Sequence, residues 1–220
     1  MDARVLFRDE HIAVVFKPYG MLSEAHDSLP NLPAFLREEC GCGACPVHRL
    51  DRTTEGLMVY ALTPAAAAVL SEAIRSGNLH KEYLAAVEGV PEDRAELCDL
   101  LYYDRARGKS YVVRRARRGV REARLRYERL ACAEYEGRAV SLVRIELLTG
   151  RTHQIRVQFA SRRHPLVGDR RYGSGIAAEH IALCACSLRF PHPVTGEELR
   201  FDCAPTDEMF GLFGEIAETT

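Results

Sequence analysis

The 220-residue chain has no apolar run long enough to cross a bilayer. Its longest stretch without a charged side chain, Gly56 to Ser71, is 16 residues and is broken by Pro64, short of the roughly 20 a spanning helix needs. It also lacks a readable signal peptide. Residues 1–10 carry Asp2, Arg4, Arg8, Asp9 and Glu10, and the apolar run after them is only Ile12 to Phe16. The expected compartment is the cytoplasm, with no membrane partner, and the eight cysteines are read as reduced thiols rather than a disulfide framework. No repeat, low-complexity tract or Pro/Gly/Ser-rich linker divides the chain, so a single domain over 1–220 is expected. Lysine is scarce, with Lys17, Lys81 and Lys109 against 27 arginines, a bias in which arginine richness by itself carries little information.

Several common active-site signatures are missing. The eight histidines (11, 26, 48, 80, 153, 164, 180 and 192) are never closer than 11 residues apart, so no pair lies one helical turn apart as in zinc proteases. Gly108-Lys109-Ser110 ends like a phosphate loop, but Tyr103 occupies the opening glycine position. Gly173-Ser174-Gly175 lacks the glycine spacing of a nucleophile elbow. Cys40, Cys42 and Cys45 form a C-x-C-x-x-C cluster that three zinc–thiolate bonds would suit, with His48 or a distant Cys as fourth ligand. A loop of reduced thiols is the simpler reading, so no metal is assigned.

What remains is ordinary in amount and uneven in distribution. Apolar residues make up 47% and charged residues 28%, which excludes global disorder. The net charge of −1 conceals a segment of +8 over residues 104–129 and one of −5 over residues 202–220. The first is either a solvated hairpin or a phosphate-binding patch.

Hydrophobic spacing predicts strands at 11–16, 57–62, 82–88, 143–147, 181–190 and 197–203. It predicts helices over 32–40 and from Thr63 to Gly77, the latter capped by Thr63, led by Pro64 and burying Val69, Leu70, Ala73 and Ile74. Ile155 and Phe159 mark a short helix, and Thr206 would cap a last one burying Met209, Phe210, Phe213 and Ile216. Cys184 and Cys186 fall in an apolar strand as core residues. Strands joined by short turns outnumber helices, so the fold class is α+β with a mostly antiparallel, mixed central sheet and flanking helices.

Three segments carry the chemistry. Val47 to Leu57 places Asp51 on a turn before an apolar strand, between Arg49 and Arg52. Leu79 to Leu84 sets Lys81 and Tyr83 on one strand face, and Leu147 to Arg156 sets Arg151 where a strand leads into a helix. Together with DEHIAVVFKPYG (9–20) and HPLVGDRRYG (164–173), the segments HRLDRTTEGL (48–57), KEYLA (81–85) and TGRTHQIR (149–156) resemble the RluA family of RNA pseudouridine synthases, in order and nearly end to end. The resemblance departs at two positions. Glu55 stands where the family motif has Ser, adding negative charge that would raise the Asp51 pKa, and Gln158 stands where it has His.

The resemblance implies two lobes around a catalytic cleft, the catalytic core without a separate N-terminal RNA-binding module, a monomer, and structured rRNA or tRNA as partner. It implies isomerisation of uridine with no cofactor, since nothing is gained or lost. Asp51 is the implied catalytic carboxylate, acting as covalent nucleophile or by stabilising charge at C1′. Arg151 is its guanidinium partner, and Tyr83 stacks on the uracil and takes part in removing the C5 proton. Arg49 fills the space left by an everted base; Lys81 is either a structural ion-pair residue or a substrate-phosphate contact. The alternative function is a non-catalytic RNA-binding protein that keeps the fold.

Overall fold

A computed structural model describes residues 2–41 and 43–214. Cys42, Ile216 and the 215–220 part of the acidic segment, which figure in the expectations above, lie outside the described residues. The chain divides into two compact units, residues 1–81 with 184–205 and residues 82–183 with 206–220.

The first unit contains β1 (Arg4–Arg8), β2 (Ile12–Lys17), helix α1 (Leu32–Cys40), β3 (Cys45–Pro46), β4 (Glu55–Ala61) and helix α2 (Pro64–Ser76). It also holds the start of β5 (His80–Glu88), most of β10 (Leu183–Pro191), and β11 (Glu198–Asp202). β4 is buried along its whole length and has strand neighbours on both edges. β2 runs antiparallel along one edge from Ile12↔Ala61 to Lys17↔Gly56. The other edge is shared by β10, parallel at Cys184↔Glu55 and Ala185↔Gly56, and by β3 at Cys45↔Ala61 and Pro46↔Tyr60. α2 begins and ends where local chemistry dictates: the Thr63 hydroxyl accepts the Ala66 N–H, Pro64 leads, and Gly77 closes with a left-handed φ of 78°. Its buried face is Ala66, Leu70 and Ala73, packed on Ile12, Val14, Leu57, Val59 and Phe190. Val69 is not part of that face; it is 44% exposed, because β4 and β2 lie under the neighbouring stripe of the helix.

The second unit carries the rest of β5, then β6 (Arg94–Asp104), β7 (Lys109–Val113), β8 (Val120–Tyr135), β9 (Arg138–Leu147) and helix α3 (Gln154–Ser161). β5, β9, β8, β6 and β7 lie side by side in that order, each pair antiparallel. β6, β7 and β8 went unnamed in the hydrophobic spacing, yet β8 buries Val120, Ala123, Leu125 and Tyr127 between exposed charged residues. The basic stretch is therefore the charged face of an ordinary strand and its turns. The last helix is a 3-10 helix over Glu208–Phe213, capped by the Asp207 side chain rather than by Thr206; Met209 and Phe210 are buried and Phe213 only partly. Mixed pairing with few helices agrees with the expected α+β class.

Among the described residues no helix is long and apolar enough to cross a membrane. Nor, among them, does any group of three or more His, Cys, Asp or Glu stand close enough to hold a metal ion. Cys40 is buried at the end of α1 and Cys45 is exposed in β3.

Candidate active site

Asp51 stands in the loop between β3 and β4, and the residues on either side of it are tied to the turn that follows β2. Ser23 Oγ donates to the Leu50 carbonyl at 2.8 Å and accepts the Leu50 N–H at 3.0 Å. On the other side, Arg52 Nε donates to the Gly20 carbonyl at 2.9 Å while the Gly20 N–H donates to the Arg52 carbonyl at 2.9 Å. Gly20 has a φ of 78°, a conformation few side chains tolerate, and this bend lets it face Arg52. Tyr60, buried in β4, donates its hydroxyl to the Ser23 carbonyl at 2.6 Å. Asp51 closes a tight turn of its own, its carbonyl accepting from the Thr54 N–H at 3.0 Å. Residues 50 and 52 are thus each fixed by two hydrogen bonds, which leaves the half-buried Asp51 little backbone freedom.

A buried cation lies beside this loop. Lys17, the last residue of β2, is fully buried. Its Nζ donates to the carbonyls of Pro18 at 2.9 Å, Met21 at 3.0 Å and Arg52 at 3.5 Å. Burial pulls its pKa down to about 7, against the pull of Asp51 and Glu55, which favour the charged form. Glu55, the first residue of β4, is also fully buried. It adds negative charge on the Lys17 side of the loop, a neighbour that the motif alone did not reveal.

His48 is a fixed acceptor. Its Nε2 takes the Val59 N–H at 3.1 Å, which places the ring proton on Nδ1. Burial, with the Lys81 charge, holds its pKa down at about 3, so the ring is neutral at physiological pH. Lys81 is half-buried on β5, and burial lowers its pKa too. Arg49 pairs with Glu24 at 3.0 Å with both side chains 60% exposed, a contact too weak to immobilise it.

Tyr83 lies on β5 opposite Ile145 and is nearly fully buried. Arg151 lies in the second unit, in the connection from β9 to α3, and is exposed. The buried Gln154 organises this connection. Its Oε1 accepts the Arg151 N–H at 3.0 Å and the Thr149 hydroxyl at 2.8 Å, and its Nε2 donates to the Arg124 carbonyl at 3.0 Å. Arg151 Nε donates to the Glu122 carbonyl at 2.9 Å. His153 enters α3 with a left-handed φ of 54° and no side-chain cap of its own, so the Gln154 amide serves the strand end where a cap is usually found. One turn on, Arg156 and Asp169 form a buried fork at 2.6 and 2.9 Å, with the Arg156 guanidinium also over the Tyr172 ring at 5.1 Å. Gln158 donates to Asp99 at 2.8 Å, a bond available to either an amide or an imidazole.

Of the candidate residues, Arg49, Asp51 and Lys81 fall in the first unit and Tyr83 and Arg151 in the second. Lys17, Ser23, Glu55 and Gln154 were not assigned roles from spacing, although Lys17, Glu55 and Gln154 stand inside quoted motifs.

Comparison with known proteins identifies the family. The sequence pattern described as RNA pseudouridylate synthase matches residues 11–161. The ribosomal large subunit pseudouridine synthase D of Xanthomonas campestris pv. campestris is 32% identical over 97% of this chain and 69% of its own length. The tRNA pseudouridine synthase C of Haemophilus ducreyi is 29% identical over 98% of this chain and 96% of its own. Among solved structures, human RNA pseudouridylate synthase domain containing 1 superposes with a TM-score of 0.77 at 26% identity, covering 93% of this chain and 84% of the other. The chain belongs to the RluA family of RNA pseudouridine synthases, isomerases that convert uridine to its C-glycoside.

Proposed function

We propose that this protein isomerises a uridine in a structured rRNA or tRNA, with Asp51 as the catalytic carboxylate, and that both units belong to one catalytic domain of a monomeric cytoplasmic protein. The observation that carries the reading is the double tethering of residues 50 and 52 around Asp51, which suits a carboxylate that must meet one atom of a substrate. In the reaction the N1–C1′ bond breaks, the uracil turns, C5 bonds to C1′, and the C5 proton leaves as N1 gains one. Asp51 supports the change at C1′, either by bonding to the sugar or by its charge. By the family resemblance Arg151 is the guanidinium assigned to the reaction with Asp51, and Tyr83 is the aromatic group for the uracil and its C5 proton. The target base must leave its stack to reach Asp51, and the loosely held Arg49 fills the vacated place. Lys81 contacts substrate phosphate or stays an internal charge.

The RNA backbone is met by the basic segment. Much of its charge is neutralised internally, as in Arg124 and Arg126 with Glu96. Among the described residues Arg105, Arg114, Arg115, Arg117 and Arg118 are exposed and form no ion pair. They cluster in the β6–β7 turn and the β7–β8 connection, and Arg117 stacks on Tyr102 at 4.8 Å. Wild type and Asp51→Asn are compared on rRNA and tRNA transcripts tritiated at uridine C5. Release from wild type and none from the variant is expected. Equal release from both refutes catalysis by Asp51, and none from wild type favours a non-catalytic RNA-binding protein.

A further inference from the structure

We propose that Glu55, where the family motif carries serine, is the standing counter-charge of Lys17, and that it sets the alkaline limit of activity by keeping Lys17 an ammonium that grips the Asp51 loop. The inference rests on the reading of Asp51 given above. Lys17 and Glu55 are both fully buried, and the β2–β4 register pairs Lys17 with Gly56, the residue after Glu55. A lone buried ammonium or a lone buried carboxylate is costly, and each makes the other tolerable.

The work of Lys17 needs its proton. An ammonium has three N–H donors, and three carbonyls receive them: Pro18, Met21 and Arg52. The Arg52 contact is the longest, at 3.5 Å, and is the one that reaches the residue next to Asp51. A neutral amine has one donor fewer and no charge to strengthen a long bond, so this tie weakens first. The groups facing Lys17 are Asp51 and Arg52 from the loop and Glu55 from β4. Asp51 is an unreliable counter-ion, because its charge is engaged or consumed during turnover. Glu55 is fully buried, away from where substrate arrives. The group facing Glu55 from β10 is Cys184, whose thiol is kept protonated by its hydrogen bond with Cys203 and by burial, so it adds no competing charge. With burial already drawing Lys17 to about 7, removal of one neighbouring negative charge moves its titration through the working pH range.

The chain has only three lysines, so protein labelled with carbon-13 at lysine Cε gives three resonances, and Lys17→Arg identifies one by its loss. Glu55→Gln is expected to lower the Lys17 midpoint by about one unit or more, a roughly tenfold rise in acid dissociation. The alkaline limb of tritium release should move down with it, while Glu55→Asp restores much of the midpoint. Glu55→Ser, the family residue, serves if the glutamine variant does not fold. A Lys17 midpoint unchanged within about 0.3 units, or a midpoint that moves while the pH–rate profile does not, overturns the proposal. The resonance is read without substrate, so an active Asp51→Asn protein refutes the assignment of Asp51 separately.

Discussion

Replacing Gly56 with alanine tests how tightly the strand behind the Asp51 loop is seated. A Cβ there would lie 2.3 Å from the Ala185 carbonyl oxygen, 2.6 Å from its nitrogen and 2.8 Å from its carbonyl carbon. All three atoms are backbone of β10, paired in parallel register with Gly56. Restoring an ordinary separation of about 3.5 Å needs a shift of roughly 1 Å in a strand buried along its length and pinned to β2 by six residue pairs. Gly56 also holds a φ of 121°, where a side chain costs about 1–3 kcal/mol. Overpacking adds about 1–3 kcal/mol, so the expected loss is about 2–6 kcal/mol from a total stability on the order of 5–15 kcal/mol. Gly77→Ala is the control, since Gly77 has a φ of 78° but nothing within 4 Å of the added atom; it should lose only about 1–2 kcal/mol. Urea titration followed by far-UV circular dichroism measures both, with tritium release read on the folded fraction. The steric argument fails if Gly56→Ala is no less stable than Gly77→Ala and retains full activity.

Asp169→Asn breaks the buried fork to Arg156, whose side chains are 1% and 5% exposed, and strands a guanidinium. A loss of about 3–5 kcal/mol is expected in the same titration, and a loss below about 1 kcal/mol would show that the fork is not holding α3. Reversing charge at Arg117 and Arg118 should weaken binding to the substrate RNA. It should also flatten the dependence of log K on log salt by about one for each phosphate left without its arginine. An unchanged slope removes the β7–β8 connection from the interface.

The parts of this structure that are legible in sequence are those fixed by neighbours in the chain. α2 is readable to the residue because its cap, its leading proline and its closing glycine are local signals. Which of its stripes is buried depends on strands that arrive from elsewhere, and Val69 accordingly faces solvent. β8 is obscured for a different reason. Its alternation of Ala123, Leu125 and Tyr127 is regular, but ten arginines over 104–129 draw attention to charge instead of periodicity. The parallel β4–β10 pair joins residues some 130 apart in sequence, and no local pattern announces it. Motif order located Asp51, Tyr83 and Arg151 as candidates. It did not show that Lys17 would be sealed inside, because a lysine at a strand end normally reaches water; only the folding back of the 18–23 turn encloses it.

The oxygens that receive Lys17 are all main-chain, from Pro18, Met21 and Arg52, and the links between Gly20 and Arg52 and between Ser23 and Leu50 likewise end on peptide groups on at least one side. Peptide groups are common to every residue type. The Met21 side chain takes no part in these bonds and is open to change during divergence while the acid keeps its coordinates, whereas Arg52, whose Nε donates to the Gly20 carbonyl, and the buried Leu50 belong to the anchor itself.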